Sequence, residues 1–260
     1  MAATGNAPFY SAPLCLLNHA FMLHTFATYL SASELLFALA CAGGLILYYF
    51  TARALLPHLP VAAATPQEQR LRRSWLLALA ASAVLTAVGV PAALSLLASP
   101  SSFAQLAHTD TPRSREALIF FGVFLLLDLA LGHLDYGDQL GVVTGFLHHT
   151  LFLLFGRYTL AQQSCGFFLS MAIVELPTLL MGLIVLAPPQ HKRQGEAVFC
   201  AAFIALRLAY TFFFSRLTWA SSPWPFQLMM LLVCFLHSAY FATWAPNFIL
   251  QEPQAQRKAR

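Results

Sequence analysis

The chain has 260 residues, of which 59% are hydrophobic and only 9% charged, with a formal net charge of +4. Soluble domains carry about 25% charged residues, so this composition and a mean hydropathy of +0.68 exclude a water-soluble globule and indicate an integral membrane protein. The modest positive charge tracks membrane topology and gives no footprint for nucleic acid.

In chain order, residues 1–33 form an N-terminal segment. Its apolar stretch 13–32 is interrupted by Asn18, His19 and His24 and has no basic residue before it, which argues against a cleaved signal and for an interfacial helix, with an eighth span as the alternative. About 20 helical residues cross the hydrocarbon core, and runs of that kind fall at 34–56, 75–97, 117–132, 142–160, 164–187, 197–215 and 226–250. The expected fold is therefore all-α, a polytopic bundle of about seven transmembrane helices over 34–250, followed by a basic tail at 251–260. The connections 57–74 and 98–116 contain Pro, Ser, Thr and mixed charge and read as surface loops.

Basic residues orient the bundle. One set of connections holds Arg53, Arg70, Arg72, Arg73, Lys192, Arg193, Arg257, Lys258 and Arg260; the other holds Arg113, Arg115, Arg157 and Arg216. The excess places the first set and the C-terminus in the cytosol and the N-terminus on the luminal or extracellular side. The QEQRLRR stretch (67–73) belongs to this cytosolic set and reads first as a positive-inside loop. Five cysteines show no metal-type spacing; a Cys15–Cys165 bridge is the one luminal pairing open to them.

Ionisable groups inside the apolar runs are the candidate functional residues: Asp128, His148, His149, Glu175, Arg207 and His237. Each charge at the bilayer centre costs about 2.5–3.5 kcal/mol, so such groups face a protein interior and mark a polar core or lipid site. At 1.5 Å per residue they lie ~7 Å (Asp128), ~10 Å (the histidines), ~15 Å (Arg207), ~18 Å (Glu175) and ~20 Å (His237) from the cytosolic helix ends, close enough for one layer. Pairing a carboxylate with Arg207 and satisfying the other through a histidine would remove most of the cost. His148, His149 and Asp128 are the catalytic candidates, a histidine serving as base and an acid orienting it. Pro177 removes a backbone donor two residues after Glu175 and predicts a kink. No histidine set at helical spacing suggests a metal, no cofactor motif is present, and the last span lacks the lysine a retinal protein needs.

The run FGVFLLLDLALGHLDYGDQLGVVTGFLHHTLFLLFGRYTLAQQSCGFFLSMAIVELPTLLMGL (121–183) resembles the TLC-domain family, which includes the ceramide synthases. An Asp ends one helix, Leu-His-His opens the next, and a Glu-Leu-(Ser/Pro)-Thr motif stands in the third; FIALRLAYTFFF (203–214) is similar to that family's arginine-bearing helix. By motif, His148 and His149 match the paired histidines, Asp128 the preceding acid and Glu175 the later one. Ceramide synthases carry a further His-Asp and a second Asp where this chain has CGFFLSMAIVELP, so the resemblance is closer to the non-synthase TLC-domain proteins. It implies a role in membrane phospholipid or sphingolipid homeostasis with membrane lipids as partners. The alternative is an acyl-CoA-dependent N-acyltransferase with a histidine base. The ending Arg257-Lys258-Ala259-Arg260 resembles a dibasic retrieval signal, implying the endoplasmic reticulum membrane, with the plasma membrane as alternative.

Overall fold

The computed structural model describes residues 20–21, 23–58 and 65–249; the expectations for residues 1–19 and for the basic tail at 251–260 lie outside them. The described residues are helical with no strand. Six helices are long and apolar enough to cross a membrane: Ala32–His58, Pro66–Ala98, Pro112–Asp135, Cys165–Leu186, Gln190–Ser221 and Trp224–Thr243. The protein is thus a multi-pass helical membrane protein.

The chain divides into two units, Met1–Cys200 and Ala201–Arg260. In the first, α1 (Ala32–Leu55) starts at a capping box in which Ser31 Oγ accepts from the Glu34 N–H and Glu34 Oε2 accepts from the Ser31 N–H at 2.8 Å. The connection 57–74, expected as a loop, carries a helix, α2 (Pro66–Ser74), started by a second box between Thr65 and Glu68. After Trp75 comes α3 (Leu76–Ala98), then the short α4 (Phe103–Ala107). The third span is longer than the expected 117–132: α5 runs Pro112–Asp135, since Thr111 caps it and Pro112 fits its first turn.

The next stretch opens with a π-helical segment, Val142–Leu147, and continues as α6 (His148–Ala161). It is not among the six spans above; α6 itself has 14 residues and includes His148, His149 and Arg157. Its course is nevertheless defined by its neighbours. The N–H groups of Cys165 and Gly166, opening α7 (Cys165–Met171), donate to Asp110 Oδ1 and the Thr109 carbonyl, at the start of α5. The 24 residues of α5 are about 36 Å long. Residues 136–164 must therefore return over that length, and α6 runs antiparallel beside α5, with Gly156 near Leu118 and His149 near Asp128.

A 3₁₀ turn at Ala172–Glu175 joins α7 to α8 (Leu176–Leu186). The kink expected at Pro177 takes this form. Pro177 has no N–H to offer the Ile173 carbonyl, and the Leu176 N–H bonds it instead, tightening the turn. Helix α3 approaches this turn closely at Gly89, where a Cβ would lie 2.7 Å from the Ile173 nitrogen. Helix α9 (Pro189–Ala202) leads across the unit boundary. The core of the first unit gathers Tyr49, Leu77, Leu85, Leu118, Ile119, Leu125 and Phe26, whose ring lies against Gly122. The second unit holds a π-helical segment, Phe203–Tyr210, α10 (Thr211–Ser221) and α11 (Trp224–Ile249), α10 packing on α11.

Candidate functional site: a buried carboxylate–imidazole pair

Asp128 of α5 and His149 of α6 meet inside the first unit, 8% and 7% exposed. Their separation is 3.0 Å between Oδ2 and Nε2. Tyr136, which follows the last residue of α5 and is 1% exposed, donates its hydroxyl to Asp128 Oδ1 at 2.7 Å. Burial first, and then the adjoining Asp128 carboxyl, raise the Tyr136 phenol above its ordinary value, so it stays protonated and acts as the donor.

The other imidazole nitrogen defines the protonation of the pair. His149 Nδ1 lies 2.6 Å from the Gly145 carbonyl oxygen, which can only accept, so Nδ1 carries a hydrogen. A neutral ring then turns the bare lone pair of Nε2 toward a carboxyl oxygen. At 3.0 Å two bare acceptors repel, so one of the pair carries a proton, making either a carboxylic acid beside imidazole or a carboxylate beside imidazolium. Either form has no net charge and avoids the cost of a lone ion in hydrocarbon. The contact is out of line for a hydrogen bond, which leaves Nε2 a buried polar atom without a hydrogen-bond partner.

The π-helical segment creates this arrangement. Its widened turn takes carbonyls off the ordinary i→i+4 ladder, with the Gly145 and Phe146 N–H groups both on the Gly141 carbonyl, and the His149 ring occupies the Gly145 oxygen. The second unit repeats the device: Arg207 lies in its π-helical segment, and His237 Nδ1 reaches the Arg207 carbonyl at 2.9 Å. The Arg207 guanidinium stands over the Phe203 ring, 5.6 Å from its centre.

The remaining candidates fall differently. His148, half-buried, points its ring at Phe152, 4.6 Å between centres, so the neighbouring histidines diverge as helical geometry requires. Glu175 ends the 3₁₀ turn and is half-buried; among the described residues, the side-chain partners of Asp128 are Tyr136 and His149. No group of three or more His, Cys, Asp or Glu that could hold a metal occurs among the described residues.

Sequence reasoning missed Tyr136 and two polar clamps at the ends of the first unit. At one end Arg115 joins Glu34 (Nε to Oε1, 2.5 Å) and Asp110 (2.8 Å), and Arg157 lies over the Tyr29 ring. At the other, Asp135 takes Arg53 (3.3 Å), Arg73 (3.2 Å) and the Tyr49 hydroxyl. The Ser-x-x-Glu of residues 31–34 was a legible cap, but nothing local links it to Arg115. Cys165 is buried as a thiol, and Cys15, its suggested partner, lies outside the described residues.

Comparison with models of known families, with curated proteins and with solved structures finds no match to this chain.

Proposed function

We propose that the chain is a seven-span, TLC-type protein of the endoplasmic reticulum membrane that acts in phospholipid or sphingolipid homeostasis by handling a membrane lipid at the Asp128–His149–Tyr136 site. The observation that carries this is the carboxylate–imidazole pair itself. A buried polar pair between apolar helices is costly, and such groups mark substrate or proton pathways in membrane proteins. The pair joins the two motifs on which the TLC resemblance rests, the acid ending one helix and the Leu-His-His opening the next.

Seven crossings follow if α6 spans the bilayer beside α5, as the contact between the starts of α5 and α7 supports. The Arg53, Arg73 and Asp135 end then faces the cytosol by the excess of basic residues there. The N-acyltransferase reading fares less well. A general base needs an available lone pair, whereas Nδ1 of His149 donates to Gly145 and Nε2 faces Asp128; His148 would have to serve. Acyl-CoA is accordingly the less favoured partner.

The test is lipidomic. Cells lacking the protein are complemented with wild type, with Asp128→Asn, or with His148→Ala plus His149→Ala, membrane expression being verified in each. Restoration of a lipid class by wild type and its loss with the double histidine variant is the expected result. Full rescue by that variant would sink the proposal and leave the pair a structural strut.

A further inference from the structure

Two arginines meet at Tyr29, and only one of them has an acid. Arg115 takes both nearby carboxylates, Glu34 and Asp110, and its Nη2 donates to the Tyr29 carbonyl oxygen at 3.4 Å. Arg157, from α6, lies over the Tyr29 ring, 5.3 Å from its centre, and its Nη2 donates to the Tyr29 hydroxyl at 3.4 Å. That hydroxyl is a neutral acceptor at long range, and Arg157 has no carboxylate partner among the described residues. Its Nε is buried without an acceptor, so water does not stand in for an acid on that edge of the guanidinium. Glu116, beside Arg115 in sequence, is exposed, and its charge acts on Cys41 of α1.

The neighbours of Arg157 set its depth. It lies one turn before the end of α6 at Ala161, about 6 Å inside it, and α6 runs beside α5, a helix long and apolar enough to cross a membrane. Gly156 fits against Leu118 and Phe26, which closes one side of this turn. On the stripe of α6 that carries Arg157, Leu154 one turn back and Leu147 two turns beyond it are exposed, so the stripe is cationic near the helix end and apolar below it. That sequence of chemistry matches a phospholipid, phosphate outermost and acyl chain beneath. Arg157 is half-buried, so part of its surface faces outward, and a guanidinium presents paired donors that fit phosphate oxygens.

We propose that Arg157, stacked on Tyr29, binds the phosphate of a membrane phospholipid whose acyl chain lies along Leu154 and Leu147, at a site separate from the Asp128–His149 pair and independent of what that pair does. The phosphate supplies the negative charge that Arg115 denies Arg157 by holding both Glu34 and Asp110. Tyr29 fixes the plane of the guanidinium before the lipid arrives, through its ring and its hydroxyl. One cation meeting an anionic lipid at this level contributes about a fivefold increase in binding.

The experiment uses the full chain, purified in detergent micelles, and follows its melting temperature as dioleoylphosphatidylglycerol, or the diacylglycerol with the same chains, is titrated in. Wild type is expected to melt higher with the phospholipid and not with the diacylglycerol, and Arg157→Gln to need at least about fivefold more phospholipid for the same rise. Arg113→Gln, an exposed arginine near the start of α5, should respond as wild type does. Loss of the Tyr29 stacking lowers the melting temperature with and without lipid alike, so only the lipid-dependent rise is read. Equal rises in wild type and Arg157→Gln overturn the proposal, as does no rise in wild type or an equal rise with diacylglycerol. The same rise with millimolar inorganic phosphate also overturns it, since the site would then select a soluble anion. If Arg157→Gln does not fold, Arg157→Lys decides: it keeps the charge and loses the paired donors, so its response should be weaker, and an undiminished response overturns the proposal.

Discussion

Replacing Asp128 tests the shared proton directly, because two substitutions that look alike should behave differently. Asp128→Ala deletes both oxygens. It removes the 2.7 Å acceptor of the Tyr136 hydroxyl and leaves it only the Asp128 backbone carbonyl at 3.4 Å, in a site where a poorly satisfied donor costs about 1–3 kcal/mol. It also strips His149 of its counterpart at 3.0 Å, and breaking a buried pair in this way costs about 3–5 kcal/mol in all. Asp128→Asn keeps a carbonyl oxygen for Tyr136 and presents an amide N–H to Nε2, imitating the protonated acid. Interhelical hydrogen bonds in membranes average ~0.6 kcal/mol, so replacing the carboxyl by an amide that keeps the Tyr136 bond and a polar group beside Nε2 should cost about 1 kcal/mol or less. The two variants should therefore differ by about 2 kcal/mol or more in unfolding of the purified protein in mixed micelles. Tyr136→Phe, costing about 1 kcal/mol in wild type, should cost less on the Asp128→Ala background, where the hydroxyl keeps only the 3.4 Å contact with the backbone carbonyl. If alanine and asparagine destabilise equally, or if alanine is silent, the shared-proton account is wrong.

Four further outcomes follow from particular contacts. Gly166→Ala would push a Cβ into the Leu106 and Thr109 carbonyl oxygens, the latter at 2.8 Å, and should cost about 3 kcal/mol; Gly44→Ala, with nothing within 4 Å, should be neutral or stabilising by ~0.5 kcal/mol, both read from thermal unfolding. Arg115→Met leaves Glu34 and Asp110 facing each other, and since the cluster is partly solvated the loss should be about 2 kcal/mol by the same assay. Burial lowers the His108 pKa below its ordinary 6.5, so the folded state resists protonation there. Stability from this group is complete above that value and falls as the pH drops below it, and His108→Gln should flatten the acid limb of a stability–pH profile. Single cysteines at Gln69 and Gln139, in a cysteine-free background, should react with an impermeant thiol reagent from one membrane face and those at Gln105 and Gln162 from the other. Labelling of Gln139 and Gln162 from the same face would eliminate the crossing by α6.

Much of the architecture was legible because hydrophobicity along a chain reports depth. Composition, the apolar runs and Pro177 foretold an all-helical membrane bundle and its broken helix, and the depth of Asp128 and His149 along their helices was close enough to bring them together. Depth is only an axial coordinate, however. Which way a side chain points around its helix depends on register, and the π-helical segment before His148 alters that register through carbonyls no sequence pattern displays. His148 and His149 looked equivalent on paper; one meets a carboxylate and the other an aromatic ring. Tyr136 went unnoticed because tyrosine at a helix end is ordinary, and it matters only once α5 ends where it can fold its hydroxyl back onto Asp128.

The ion pairs went unseen for a related reason. Arg53, Arg73 and Arg115 entered the topology argument as three equivalent cations, yet each has an acid from a distant part of the chain: Asp135 for the first two, Glu34 and Asp110 for the third. Arg115 is neutralised twice over, so the basic count at its end of the unit overstates the charge the membrane meets. At the other end Asp135 is divided between two arginines. The positive-inside bias counts Lys and Arg and takes little account of Asp and Glu, so these pairs leave the count of nine against four as it stands and bear instead on how the ends of the first unit are held together.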